Sequence, residues 1–104
     1  MIQDYKGHYD YDKSVIEQWN NSQGGVYYLG TKNAQGILVV FYIGKAFGDG
    51  GIRQRLLQHL NENKWGDVTH FGYCVCSSEQ EALNHEAQEI KLYNPKYNTL
   101  LKRY

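Results

Sequence analysis

Two strand-like segments joined by a short polar connection place the strongest constraint on how this 104-residue chain can fold. Residues 25–30 read GVYYLG and residues 37–43 read ILVVFYI, and both are rich in the β-branched and aromatic residues that favour strands. The connection between them, TKNAQG, contains Asn and Gly, which favour a reversal of the chain. This pattern predicts an antiparallel β-hairpin.

The rest of the chain predicts helices and one further strand. A short helix can begin after Asp12, a second helix covers residues 52–61, and a third begins at Ser77 or Ser78 and ends before Pro95. The segment DVTHFGYCVCS, residues 67–77, predicts a third strand. We therefore expect an α+β fold with a small three-stranded antiparallel sheet flanked by helices. Residues 1–23 would form an N-terminal arm with a short helix, and residues 24–104 the globular domain.

Charge and hydropathy exclude some classes of protein. Eleven basic and eleven acidic residues give zero net charge, which argues against a protein that coats nucleic acid through a broad basic surface. The sequence shows neither an apolar run of membrane-spanning length nor a charged-then-apolar leader, so a soluble cytoplasmic protein without membrane contact is expected. The ten tyrosines suit a core, a polar interface or base stacking equally well.

The two cysteines, Cys74 and Cys76, lie on one face of a predicted strand. A disulfide across that spacing would be strained, so two small, buried, reduced thiols are expected. A zinc site with His70 and His85 is the alternative. It is less favoured, because four-ligand zinc sites usually contain paired Cys-x2–4-Cys ligands.

Polar and ionisable residues gather where the hairpin leads into the second helix. The stretch FYIGKAFGDGGIRQRLLQHL, residues 41–60, places Arg55 and His59 four residues apart, so both lie on one side of the helix. In the third helix the spacing predicts one apolar face with a carboxylate in it, formed by Ala82, Leu83, Glu86, Ile90 and Tyr93. A carboxylate on an apolar face requires a partner, which leaves a salt bridge or a functional role for Glu86.

Taken in order, these motifs resemble the GIY-YIG endonuclease family. Gly25-Val26-Tyr27 corresponds to the first tripeptide, and Tyr42-Ile43-Gly44 matches the second letter for letter. The helix with Arg55 and His59 and the run EAQEIKLYNPKYN, residues 86–98, are similar to the remaining motifs. The resemblance covers residues 24–98. Its departures are a longer connection between the tripeptides and a longer turn at residues 48–51, which we expect to affect the choice of substrate.

The resemblance implies a role for each matching residue. Glu86 would hold one Mg²⁺ or Mn²⁺, and Arg55 would stabilise the scissile phosphate. Tyr27 would be the general base, helped by Tyr42 and His59, with Lys45 as a rival base.

Other matching positions would support the site. Lys45 and Arg53 would join Arg55 in binding nucleic acid, Asn98 would tie its segment to the site, and Gly25 and Gly44 would permit close backbone approach.

The resemblance therefore implies a metal-dependent endonuclease that hydrolyses phosphodiester bonds in DNA, with roles such as repair open to it. An RNA nuclease would share the same site, and a catalytically inactive nucleic-acid-binding or interaction module with this fold is the alternative. Because residues 1–23 are too few for a separate recognition domain, a targeting partner protein or a homodimer is expected to help in finding DNA.

Overall fold

The computed structural model of the chain describes residues 2–19, 22–62 and 64–101, and within them it shows four strands and four helices. In chain order the elements are β1 (Lys6–Asp10), α1 (Lys13–Gln18), β2 (Gly25–Lys32), β3 (Leu38–Ala46), α2 (Gly51–Asn61), β4 (His70–Val75), α3 (Glu79–Tyr93) and α4 (Lys96–Leu101). The predicted α+β class is confirmed. None of the described helices is long and apolar enough to cross a bilayer.

All strand pairs in the sheet are antiparallel, in the order β1-β4-β2-β3. The predicted hairpin is confirmed as β2 and β3. Its turn is stabilised by the Asn33 Oδ1 atom, which accepts hydrogen bonds from the backbone N–H groups of Gln35 (2.9 Å) and Ile37 (3.0 Å). The predicted strand number was one too low, because β1 pairs with β4 where an arm was expected. β1 reads KGHYD and is largely exposed, so backbone pairing forms it without a hydrophobic pattern.

Alternate residues of β2 enter two separate cores. Tyr27 and Leu29 pack with Ile16 of α1 and Ile52 of α2 in the first cluster. On the other face of the sheet, Val26 and Tyr28 pack in the second cluster with Ile43, Cys74 and Ala82 of α3. This alternation is the period of two expected of a strand buried on both faces. It sends the Tyr27 side chain toward α2.

A β-bulge redirects the side chains of β3. Leu29 pairs with Tyr42 and Gly30 with Val40, so Phe41 is an extra residue on the β3 side. As a result, the consecutive residues Phe41 and Tyr42 both pack against the first core cluster. Without the bulge, neighbouring residues would point to opposite faces.

The buried face of α3 is narrower than the sequence predicted. Ala82 is buried and Glu86 and Ile90 are half-buried, at a spacing of four residues. The expectation that Leu83 and Tyr93 share this face was wrong, since they are 43% and 52% exposed.

The flanks of α3 combine expected and unexpected features. Ser78 caps the helix as expected, accepting a hydrogen bond from the Glu81 backbone N–H at 3.1 Å. Pro95 separates α3 from α4, a helix the sequence did not predict.

Cys74 and Cys76 are free and buried, as predicted. The zinc alternative lacks support, because the described residues contain no group of three His, Cys, Asp or Glu side chains placed to hold a metal. His70 instead lies 3.3 Å from Asp10, and His85 lies 3.2 Å from the Tyr28 hydroxyl.

Candidate active site

Helix α2 carries His59 to the Tyr27 hydroxyl. Ile52, Leu56 and His59 form the buried side of the helix, at the spacing of an amphipathic face. The His59 Nε2 atom lies 2.9 Å from the Tyr27 hydroxyl oxygen, and both residues are at most 2% exposed. Tyr42 completes the cluster, with ring centroids 6.1 Å from Tyr27 and 5.9 Å from His59.

Two glycines provide the space that this cluster needs. Gly44 pairs directly with Tyr27, and a Cβ atom at position 44 would overlap the Tyr27 hydroxyl group. A Cβ atom at position 25 would overlap the backbone carbonyl oxygen of Cys74 on β4. Both positions therefore require glycine for close approach, which at Gly44 is approach to a candidate catalytic side chain.

Arg55 lies one turn from His59 but points outward, into a polar cleft of about 390 Å³. The cleft is bordered by Lys45, by Gln58 and by the turn that contains Asp49. The Arg55 guanidinium donates to Gln58 Oε1 at 2.8 Å. No carboxylate pairs with Arg55 in the part of the chain that the structure describes, so its positive charge is available to an anion.

The electrostatics of the cluster keep His59 neutral and the phenols protonated. Burial, helped by Arg55 and Lys64, lowers the pKa of His59 to about 4. Burial raises the pKa of Tyr27, and the neighbouring Tyr42 adds to this, while Arg55 opposes it. Burial and Glu86 raise the pKa of Tyr42, whereas Arg55 and a hydrogen bond from Tyr27 favour its ionised form.

Glu86 of α3 lies near the same cluster of side chains, where its charge acts on Tyr42. Burial raises the pKa of its carboxyl, and the Lys45 ammonium and backbone N–H oppose that shift. The Lys45 ammonium itself lies 3.7 Å from Glu79, whose side chain is 70% exposed. Across residues 2–19, 22–62 and 64–101, Glu86 makes no salt bridge, although the Lys45 ammonium lies near enough to favour its ionised form.

The carboxylate of Glu86 fits a hard cation such as Mg²⁺. Mg²⁺ commonly binds one or two carboxylates and fills its other positions with water and phosphate oxygens. The half-buried carboxylate of Glu86 lies next to Lys45, which borders the cleft with Arg55, and it can supply that one protein ligand.

Two predicted residues lie outside the cleft. Arg53 donates to the carbonyl oxygens of Ile16 (3.2 Å) and Glu17 (2.9 Å), so it joins α2 to α1 and does not face the cleft. Asn98 is buried at the edge of β3: its Oδ1 atom accepts from the Ile43 N–H and its Nδ2 atom donates to the Ile43 carbonyl, both at 2.8 Å.

The sequence reasoning did not find Trp65, which lies against the cluster. Its ring centroid is 4.4 Å from that of Tyr42 and 5.1 Å from that of His59. Trp65 belongs to the connection between α2 and β4 and has a φ of 57°. No helical or strand period applies there, so the sequence carried no signal for this contact.

Comparison with known proteins places this arrangement in a family. The family described as UvrC-like GIY-YIG domain matches residues 23–99. The chain is similar to UvrABC system protein C of Ruminiclostridium cellulolyticum, with 42% identity over 86 residues that cover 77% of this chain and 13% of that protein. The protein of the same name from Clostridium kluyveri is 34% identical over 91 residues, covering 88% of this chain and 13% of the relative. The one from Clostridium tetani is 30% identical over 103 residues, covering 90% and 15%. The chain therefore spans only a small part of the length of these relatives, and it belongs to the UvrC-like GIY-YIG domain family.

Proposed function

We propose that this domain is a divalent-metal-dependent endonuclease that hydrolyses phosphodiester bonds in DNA. One observation carries the proposal: the Tyr27 hydroxyl lies 2.9 Å from Nε2 of His59, and Tyr42 packs on both rings while its pKa responds to Glu86 of α3 and to Arg55 of α2. A cluster of ionisable groups with perturbed pKa values beside a polar cleft is typical of a catalytic site. The family supports a role in DNA repair, since its members include the incision subunit of bacterial nucleotide excision repair.

The phosphate is bound by Arg55 and Lys45. Both side chains border the cleft, and the planar guanidinium can donate two parallel hydrogen bonds to phosphate oxygens. Gln58 holds the Arg55 side chain without neutralising its charge. Arg55 is therefore positioned to stabilise the charge that develops on the phosphate during cleavage.

Glu86 would hold the metal. A bound Mg²⁺ or Mn²⁺ would activate water and stabilise negative charge on the phosphate oxygens. The Lys45 backbone N–H and ammonium favour the ionised carboxylate that such binding requires.

Tyr42, rather than Tyr27, is the better candidate for the general base. Tyr27 is 1% exposed, whereas Tyr42 is only half-buried and can reach a water molecule. Burial and Glu86 raise the pKa of Tyr42, but Arg55 and Tyr27 oppose that shift and favour the phenolate that a general base requires. In this proposal Tyr27 and His59 position and polarise Tyr42 from within the core, and Lys45 is the remaining rival base.

A cleavage assay with matched variants tests the proposal. The purified chain is incubated with single-stranded, double-stranded, flapped and branched DNA and RNA, with Mg²⁺, with Mn²⁺ or with EDTA. We expect metal-dependent cleavage of DNA, and a loss of roughly a hundredfold or more in Glu86→Gln and Arg55→Gln. Glu89→Gln is the control, since Glu89 is a half-buried carboxylate of the same helix that bonds Tyr28 on the second core.

Cleavage that survives Glu86→Gln and Arg55→Gln would refute the site assignment. Binding of DNA without cleavage under either metal would establish the alternative, an inactive nucleic-acid-binding module.

We also propose that a partner protein directs this domain to DNA. The name of the relatives, UvrABC system protein C, denotes one component of a system of several proteins. It therefore supports a targeting partner over the homodimer that the sequence also suggested.

A further inference from the structure

We propose that a row of aromatic side chains beside the site binds an unpaired nucleotide next to the scissile phosphate. This inference rests on the proposed function, because it names the form of DNA that the same site takes. The row, called the aromatic ledge below, consists of Phe41, Trp65 and Tyr97.

The aromatic ledge continues outward from Tyr42. The Trp65 ring centroid is 4.4 Å from that of Tyr42. It is 5.3 Å from that of Tyr97, and the planes of Trp65 and Tyr97 make an angle of 18°. Phe41 meets Tyr97 edge-on at 6.2 Å. All three ledge residues are partly exposed. A base stacked on this row would therefore lie next to Tyr42, the general base proposed above.

Two lysines supply positive charge along the ledge. The Lys96 Nζ atom is 4.1 Å from the Phe41 centroid and 4.9 Å from that of Tyr97, and Lys64 lies 5.6 Å from the Trp65 centroid. Each is paired with a surface carboxylate, Lys96 with Asp67 at 2.6 Å and Lys64 with Glu62 at 3.6 Å. All four of these side chains are between 42% and 50% exposed. Surface pairs of this kind contribute little to stability, so a nucleic-acid phosphate can replace the carboxylate partner.

This chemistry fits an unpaired base better than a duplex. The faces of paired bases are covered inside a double helix, and only an unpaired base can place its face on an aromatic ring beside a cation. Zero net charge gives the chain little general affinity for phosphates, so stacking must supply a larger share of binding.

The fold positions the ledge before any ligand binds. The bulge in β3 turns Phe41 to the same side as Tyr42. Asp67 accepts a hydrogen bond from the Tyr97 hydroxyl at 2.6 Å as well as from Lys96. Trp65 is held with a φ of 57°, a left-handed conformation that is uncommon for a residue with a large side chain. Such an outlier beside a candidate site supports a functional role for the ring.

Tryptophan fluorescence tests the inference without any cleavage. The chain has two tryptophans, and Trp19 packs on Phe71 and Tyr73, away from the ledge, so Trp19→Phe leaves Trp65 as the single reporter. In EDTA, a short single-stranded oligonucleotide should quench the Trp65 emission to saturation, and a blunt duplex of the same sequence should not. Equal quenching by both DNAs, or binding of the single strand without quenching, would overturn the proposal.

Affinity provides a second measurement that does not depend on the Trp19 variant. By fluorescence anisotropy of a labelled single strand, Trp65→Leu should weaken binding about tenfold or more, whereas Trp65→Phe should retain most of it. Leu92→Ala, at a 72% exposed position on α3, is the control for nonspecific effects. Unchanged affinity in a folded Trp65→Leu variant would refute the ledge. Unchanged affinity in a folded double variant that combines Trp65→Phe with Lys96→Gln would also refute it. Because binding is read in EDTA, failure of the ledge and failure of the proposed cleavage give different results.

Discussion

Removing the side-chain amide of Asn98 should destabilise the edge of β3 that carries Tyr42. β3 pairs with β2 on one side only, and Asn98 bonds both the N–H and the carbonyl of Ile43, each at 2.8 Å. Asn98 is 7% exposed and Ile43 is fully buried. One side chain thus replaces a missing neighbouring strand at this point. Asn98→Ala removes both bonds and leaves two buried backbone groups without partners.

The size of the effect follows from those two bonds. A hydrogen bond between neutral groups contributes about 0.5–1.5 kcal/mol net, and a buried group left unsatisfied costs about 1–3 kcal/mol. If water reaches one of the two backbone groups, Asn98→Ala should lower the free energy of unfolding by about 2–4 kcal/mol. For a chain of this length the melting temperature should fall by roughly 10–25 °C.

Urea unfolding followed by far-ultraviolet circular dichroism measures this loss. Asn84→Ala is the matched control, because Asn84 is exposed and its side chain accepts a hydrogen bond from the Gln80 side chain on the same helix. The control should change stability by less than about 0.5 kcal/mol. A loss below about 1 kcal/mol in Asn98→Ala would contradict the view that this amide satisfies the edge of β3.

Two further predictions concern the ionisable groups of the site. In the folded protein the pKa of His59 is about 4, against 6.5 for an ordinary imidazole, so the unfolded chain binds more protons between these values. The free energy of unfolding should therefore fall by on the order of 3 kcal/mol as the pH drops from about 6.5 to 4. His59→Phe should flatten this part of the curve of unfolding free energy against pH. An unchanged slope in that variant would be evidence against a buried neutral imidazole. Burial raises the pKa of Glu86, so an ionised carboxylate is unfavourable there. Glu86→Gln should therefore be up to about 1 kcal/mol more stable than the parent at neutral pH while losing activity. Chemical unfolding at pH 7 measures the change, and a less stable variant would contradict the prediction.

Local patterns predicted the elements that bring the candidate residues together. The hairpin follows from two apolar segments and a polar turn, and α2 follows from the spacing of Ile52 and Leu56. The sequence predicted Arg55 and His59 on one side of this helix, whereas the structure buries His59 and exposes Arg55. Glu86 was identified because a carboxylate fell on an apolar face. These sequence patterns are local. The predicted elements form because tertiary packing favours the same helices and strands as the intrinsic propensities of their residues.

Features that depend on distant contacts were missed. β1 exists because β4 offers it a backbone edge, and its own residues are mostly polar and exposed. Trp65 meets Tyr97 across 32 positions of sequence through a loop, where no period relates the two rings. The Arg53 guanidinium could bind a phosphate, but it donates its hydrogen bonds to carbonyl oxygens of α1. In each case the partner, and not the residue itself, decides the role.

The edge position of β3 explains how a sheet this small can hold both a site and its supports. A strand paired on both sides directs its backbone groups to its neighbours, but β3 has a free side, and Asn98 uses it at Ile43. The same free side lets Glu86 of α3 approach the Lys45 backbone N–H. The bulge then turns Phe41 and Tyr42 together toward α2. An unpaired strand edge ordinarily associates with other strands. On β3 this edge is blocked by Glu86 and Asn98, and these same two residues bring a carboxylate and an amide close to Tyr42.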